Sequence, residues 1–192
     1  HFVLGAIAIF VYVGVEVGIP NVLQKWLNEV STTAIAGTVA GTYWFLMLCG
    51  RLLGGVIGGK VSSKVMISTV STLAIVFILV GMYLPTSLVK FPAISSDLSI
   101  SLVEIPVGVM FFMLCGLCTS VMWGAIFNLA VEGLGALTAL ASGLFMMMVV
   151  GGGVLPLIQS AIAGSPAGHM NSYWIVFAAL AYMLWFALLG SR

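Results

Sequence analysis

The stretch FVLGAIAIFVYVGVEVGIPNVL, residues 2 to 23, decides the fold. It is a continuous apolar run of the length a helix needs to cross a bilayer, whose hydrocarbon core of about 30 Å takes about 20 residues. Strands of a membrane barrel would alternate apolar and polar over about ten residues, and this run does not alternate. Its one ionisable side chain is Glu16. Runs of the same kind follow at about 34–59, 65–84, 104–131, 136–163 and 173–189. The polar stretch Gln24–Glu29 separates the first two and leads into Ser31-Thr32-Thr33, a helix N-cap pattern. Lys60–Lys64 is a short basic turn, and Pro85 stops the third run. Residues 86–103, with Pro92 and Asp97, read as the longest polar loop. Glu132-Gly133-Leu134-Gly135 and Gly164-Ser165-Pro166-Ala167-Gly168 read as turns, and Asn171 as a cap or loop residue before the sixth run. The expected fold class is all-α transmembrane, a single six-helix bundle spanning residues 1–192.

Composition points the same way. The 192 residues are 62% hydrophobic and 6% charged, against roughly a quarter charged in a soluble domain. Six basic and five acidic side chains cannot cover a water-facing surface of this size, whereas lipid tolerates it provided the backbone satisfies its own hydrogen bonds. The net charge of +1 suggests no polyanion, so no nucleic-acid partner is expected. The chain opens directly in an apolar run without the basic region of a signal peptide, which suggests that something precedes His1 in the natural gene. Cys49, Cys115 and Cys118 all lie inside apolar runs and read as small buried hydrophobes. A zinc site needs more ligands than that, and neither metal nor cofactor is expected. Lys60, Lys64 and Arg192 fall on one side of six spans, Lys25 and Lys90 on the other. Basic residues favour the cytoplasmic side, which places both termini there.

Much of the glycine is spaced by four: Gly14 with Gly18, Gly37 with Gly41, and the ladder Gly50, Gly54 and Gly58 beside Gly55 and Gly59. Small residues at that spacing let helix backbones approach closely in lipid, so the second helix is expected to cross a neighbour closely. Gly151-Gly152-Gly153 followed by Pro156 weakens the fifth span locally. Such breaks surround transporter sites, and they also serve packing alone.

Glu16 is the most informative residue. An ionisable group at bilayer depth is costly and faces the protein interior or a water-filled path, where it suits reversible protonation; a structural hydrogen bond from a protonated Glu is the plainer alternative. Tyr12 and Pro20 flank it on one helix face, and Asn21 and Gln24 extend a polar strip toward the outer end. In the fourth span Trp123 and Phe127 share a face beside Asn128. An aromatic plate next to an amide suits a sugar, ring CH groups against the plate and hydroxyls on the amide, although an aromatic pair at this spacing also serves packing. Gln159 is a weaker candidate. Arg51 and Glu132 come at the cytoplasmic ends of the second and fourth spans. Each is expensive alone near the bilayer, so an ion pair between them, or with a partner outside the chain, is expected to gate that face.

Enzyme readings do poorly. Ser142-Gly143 is present, but Leu140 stands where a membrane serine protease would carry a glycine, and the histidines are His1 and His169, at a terminus and in a loop. No His-Glu-x-x-His motif and no phosphate-binding loop occur.

Several segments taken together resemble the C-terminal half of the fucose/glucose-galactose:proton symporters of the major facilitator superfamily. They are Tyr12 to Gly18, Gly50-Arg51-Leu52-Leu53-Gly54, Ile126 through Gly135, and Ala141-Ser142-Gly143 through Pro156. The resemblance implies twelve helices in two six-helix halves with sugar bound between them, and coupling carboxylates partly in the other half. It puts Glu16 at a polar position near the substrate cavity. Gly124 stands where the family usually has a proline, and Ala136–Leu140 lacks the family's basic and polar residues. The expected function is secondary transport of a hexose such as glucose, galactose or fucose, coupled to protons by alternating access in a bacterial inner membrane. Glu16, Asn21, Trp123, Asn128, Tyr12 and Phe127 would contact sugar, Glu16 would carry the proton, and Arg51 and Glu132 would gate. The expected partners are the bilayer, sugar, proton and an N-terminal half or a second copy of this chain. The alternative is a six-helix scaffold or interaction protein, possible as a homodimer, that does not transport by itself.

Overall fold

Helix α1, Phe2–Val30, outlasts its apolar run. The computed structural model describes residues 1–84, 87–94 and 99–191, so Pro85, Asp97 and Arg192, named above, lie outside the described residues. The polar stretch Gln24–Glu29 is helical rather than a loop. At about 1.5 Å per residue a helix this long exceeds the hydrocarbon thickness. Polar side chains beyond the core do not unwind it, and neither glycine nor proline intervenes before Ser31.

The remaining spans are α2 (Thr33–Ile57), α3 (Ser63–Tyr83), α4 (Val107–Thr119) continued by α5 (Met122–Val131), α6 (Thr138–Met148) continued by α7 (Gly151–Ala163), and α8 (Gly168–Trp185) ending in a π turn. Thr32 caps α2 by accepting from the Ile35 amide at 3.4 Å, and Ser62 does the same for α3. Gly133 and Gly168, at the turns after α5 and before α8, take φ of 80° and 79°, a left-handed backbone that glycine allows at no steric cost. Six of the resulting helical segments are long and apolar enough to cross a membrane, and the chain is a multi-pass membrane protein.

Three sequence readings change. The long loop contains a hairpin: β1 (Leu88–Ile94) pairs antiparallel with β2 (Ile100–Pro106), Lys90 opposite Glu104. Glu104 is therefore in a strand, and the fourth span begins at Val107, after Pro106, whose preceding residue is biased to extended backbone. The fourth span also breaks at Ser120–Val121, between α4 and α5, so the bend does not require a proline at Gly124. Asn171 lies inside α8, and its amide donates to the Ala167 carbonyl at 2.7 Å.

Contacts between helix ends sort the chain into two faces. His1 Nε2 meets the Glu132 carbonyl at 2.9 Å, and Lys64 Nζ donates to the Leu188 carbonyl at 3.0 Å. At the opposite face Lys25 Nζ donates to Ser160 Oγ at 3.0 Å, and His169 lies 3.4 Å from Glu29.

Helix α1 is the hub, packed against α2, α5, α7 and α8 and burying Ile9, Tyr12, Ile19 and Leu23 completely or nearly so. Glycine makes that possible. A methyl at Gly14 would strike Leu155 of α7, and one at Gly18 would strike the Gln159 amide oxygen. Gly151 lies directly on the Phe10 carbonyl of α1 and Gly152 on Val13, while Gly153 faces open space. The α6–α7 break at Val149–Val150 thus delivers Gly151 to a close contact with the α1 backbone and Gly152 to the Val13 side chain. The α2 ladder is partly used: Gly50 abuts Ser120 and Gly54 abuts Val121, the two residues at the α4–α5 break, while Gly55 and Gly59 are open. The Gly37–Gly41 pair meets nothing within 4 Å.

These contacts separate two neighbouring glycines. Gly151→Ala is expected to lower stability by about 1–3 kcal/mol through overpacking against Phe10. Gly153→Ala is expected to be neutral or to gain up to about 1 kcal/mol in helix propensity. Thermal unfolding in detergent, followed by size exclusion, checks the pair; equal melting temperatures would remove the close contact.

Candidate functional site in the membrane interior

The Glu16 side chain enters the bundle beside three other helices and meets a cation there. Arg51 Nη2 donates to Glu16 Oε1 at 2.6 Å. The expected pair between Arg51 and Glu132 is not formed: Arg51 is on Glu16, and Glu132 is exposed. Arg51 lies toward the C-terminal end of α2, but its long side chain runs back along the helix past Met47 Sδ to the carboxylate. A carboxylate this deep exerts a stronger pull than one in water, because the low local dielectric strengthens attraction between opposite charges. The two partners differ in exposure. Glu16 is 9% exposed as a residue, whereas half of the Arg51 side chain is accessible.

The backbone explains how α1 tolerates its proline. Pro20 has no N–H, so the Glu16 carbonyl four residues earlier loses its helical donor. In lipid that acceptor needs another partner. Tyr43 of α2 supplies it: its hydroxyl donates to the Glu16 carbonyl at 3.1 Å and is also 3.1 Å from Thr119 Oγ1 of α4. Glu16 is therefore held at both ends by α2, its main chain by Tyr43 and its carboxylate by Arg51. Tyr173 of α8 supports the same stretch by donating to the Ile19 carbonyl at 2.9 Å. The sequence reading missed Tyr43 and Thr119. The signal for them was Pro20 at four residues past Glu16, which announces an orphan carbonyl without saying which helix answers it.

The other expected site residues divide. Tyr12 is fully buried and packs on Trp123 of α5, ring centroids 6.1 Å apart and planes at 59°. Its hydroxyl lies within hydrogen-bonding and electrostatic reach of Glu16 and Arg51. Phe127 turns instead to Phe145 of α6, edge-on at 5.5 Å, in a ring cluster that includes Phe2. Asn21 is half-buried on α1, and Asn128 is exposed. Gln159 is buried against Gly18, with its amide nitrogen unpartnered among the described residues. Arg51 and Asn128 line one cleft of about 300 Å³ together with Gly54, Gly58, Ser63 and Ser120, at the lower end of the roughly 300–1,000 Å³ of small-molecule pockets. A larger cleft of about 510 Å³, between Phe2 and α6, is lined by Leu, Met and other apolar groups with nothing to hold a polar solute. Among the described residues no cluster of three metal-ligating side chains occurs.

The fold matches one half of the crystal structure of FucP, a major facilitator superfamily transporter, in its outward conformation: TM-score 0.81 at 18% identity, over 97% of this chain and 41% of that one. A second structure, of the E. coli fucose:proton symporter FucP, matches at the same score over 42% of its length. The six-helix bundle is thus half of a major facilitator fold. Over its whole length the chain is also 29% identical to the glucose/galactose transporter of Brucella abortus (strain 9-941). It is 33% identical to a protein provisionally named a glucose/galactose transporter in Helicobacter pylori (strain ATCC 700392 / 26695). The chain is a homologue of these sugar transporters, which are transporters rather than enzymes, and spans 43% and 44% of their lengths. No family model matches it.

The carbonyl argument has a direct check. Tyr43→Phe is expected to cost about 0.6 kcal/mol and at most about 1.7, the mean and the maximum measured for interhelical hydrogen bonds in a membrane protein. In a Pro20→Ala background, where the restored amide serves Glu16, the cost should fall by at least half. A double-mutant cycle on unfolding in mixed micelles reads the coupling, and additive effects would overturn the assignment.

Proposed function

We propose that the chain forms the C-terminal half of a sugar:proton symporter of a bacterial inner membrane, with a hexose such as glucose, galactose or fucose as substrate. The observation that carries the reading is the Glu16–Arg51 pair at mid-span, at the edge of a polar cleft, in a chain related from end to end to glucose/galactose transporters. Sugars offer hydroxyls to polar groups and CH faces to rings. Glu16, Asn21 and Asn128 would take the hydroxyls, and Tyr12, Trp123 and Phe127 the apolar faces. An N-terminal six-helix half would complete the cavity, and the two halves would rock about the site to expose it to either side. Both termini would lie in the cytoplasm, in keeping with Lys60 and Lys64 at the end of the bundle that carries His1.

One observation favours a second reading. Phe45, Leu48 and Leu52 of α2 and Leu140 and Met147 of α6 leave two apolar faces open on the bundle. The N-terminal half would cover them in a transporter, and a second copy would cover them in a scaffold. Copurification separates the two, since a homodimer without sugar binding supports the scaffold.

Glu16→Gln in the full-length transporter is expected to abolish proton-driven accumulation of galactose or glucose in inverted or right-side-out vesicles while sparing exchange of labelled for unlabelled sugar. Unchanged uphill uptake would overturn the assignment of the coupling proton to Glu16.

A further inference from the structure

The two strands between α3 and α4 are apolar on both faces. On the inner face Val89, Phe91 and Val103 pack against the bundle, and Ala93 and Ile105 are buried. The outer face is made by the alternate residues, Leu88, Lys90 and Pro92 of β1 beside Glu104, Leu102 and Ile100 of β2. An antiparallel sheet with one face in water turns polar groups to it. Here Lys90 and Glu104 stand directly opposite each other, one charge of each sign, and the rest of the face is apolar. Leu88 is 57% exposed, Leu102 69% and Ile100 79%. A face of this composition is built to be covered, and among the described residues it stands open.

Its depth and its neighbours say by what. Helix α3 has 21 residues, about 31 Å at 1.5 Å per residue, and so crosses a hydrocarbon core of about 30 Å before it ends. It starts beside Leu188, where Lys64 bonds, and therefore ends on the face that carries Lys25, Glu29 and His169. β1 begins beyond that end, and β2 leads back into α4 at Val107. The strands thus lie outside the hydrocarbon. Acyl chains do not reach them, and another protein surface is what removes leucine and isoleucine from water there. Helix α4 stands between α3 and α2, packed on both, and β1 reaches across to α2. That is the helix whose Phe45, Leu48 and Leu52 form one of the two open apolar faces of the bundle.

We propose that the exposed face of the β1–β2 pair is a docking surface for the outer ends of the N-terminal six-helix half, buried when the outer ends of the two halves close and opened when they part. The inference rests on the symporter reading and goes beyond it, since it assigns a surface that takes no part in holding sugar or proton. The partner surface is apolar, with polar groups at its edge to meet Lys90 and Glu104. One partner lying along α2 covers the helix face and the sheet face together. A second copy meeting strand on strand would leave the α2 face bare. The relatives have the chain to supply such a partner, because this chain spans 43% and 44% of their lengths and more than half of each lies outside the matched part. Burying Leu88, Ile100 and Leu102 favours the closed form, and parting the halves returns them to water. The strand pair thereby weights the balance between the two forms without touching either solute.

Labelling of single cysteines in the full-length transporter with a membrane-impermeant maleimide, in right-side-out vesicles, tests the contact. Leu102→Cys and Ile100→Cys report on the face, and Val30→Cys, exposed at the outer end of α1, is the control. Saturating galactose is expected to slow labelling of the two face positions at least about threefold, by shifting the population toward the closed form. The control should change by less than about twofold. Leu102→Asp should lower the maximal rate of galactose uptake at least about threefold at normal protein levels, because closure would bury an unpaired charge. Leu102→Met should restore it. Both positions are exposed, so neither change disturbs the fold. Equal labelling with and without galactose in a variant that still transports it overturns the docking surface and leaves the symporter standing. So does unimpaired uptake by Leu102→Asp. Slow labelling in both states, the result for a face sunk among lipid headgroups, overturns it as well. A Leu102→Cys dimer formed on oxidation puts a second copy on the face and overturns it too. Wild-type protein that takes up no galactose would instead remove the reading beneath the proposal.

Discussion

A carboxylate carried into hydrocarbon needs an opposite charge or a proton. Glu16 has the first, from Arg51 of the neighbouring helix. That requirement disciplines the architecture around it. α1 and α2 must lie side by side for the arginine to reach, and α2 must approach α4 through Gly50 for the register to hold. The α4–α5 break at Ser120–Val121 falls where Gly50 and Gly54 abut it, and the same junction helps wall the cleft that Arg51 borders. A mid-helix proline would weaken such a frame, yet Tyr43 turns the defect into another α1–α2 tie by bonding the carbonyl that Pro20 leaves open. Charge compensation and backbone satisfaction thus act at one level of the membrane, through the same two helices.

Glycine supplies the other half of that frame. In lipid no hydrophobic force drives helices together, so close packing has to. Gly151 on the Phe10 carbonyl and Gly14 beneath Leu155 bring α7 against the first span on the side away from Arg51. With α2 on one flank and α7 on another, α1 has little room to rotate, and Glu16 keeps one orientation. Two glycines that meet nothing, Gly37 and Gly41, lie in the N-terminal half of α2, whose exposed side also carries Phe45 and Leu48.

Much was legible from residues alone, and for stated reasons. The six spans follow from apolar length, the Thr32 cap from its hydroxyl ahead of an apolar run, and the prominence of Glu16 from the cost of charge at depth. The errors were equally physical. Gln24–Glu29 looked like a loop because polarity was read as a boundary, although a helix needs a breaker to end. The pairing of 88–94 with 100–106 was hidden because Pro92 inside the first strand argues against a strand and the stretch lies between polar residues. Arg51 was assigned to Glu132 by helix end, as if a side chain of that length stayed level with its own Cα.

By itself, then, the sequence determined the solvent, the number of crossings, the Thr32 cap and which acidic residue would need a partner at depth, because each follows from local composition and the energetics of lipid. Only the tertiary structure decided who answers whom: Arg51 for the Glu16 carboxylate, Tyr43 for its carbonyl, Trp123 for Tyr12, Phe145 for Phe127. Those choices depend on the rotation and depth of each helix relative to its neighbours. They are set by close contacts such as Gly50 on Ser120 and Gly151 on Phe10, between residues far apart along the chain and carrying no mutual mark in it.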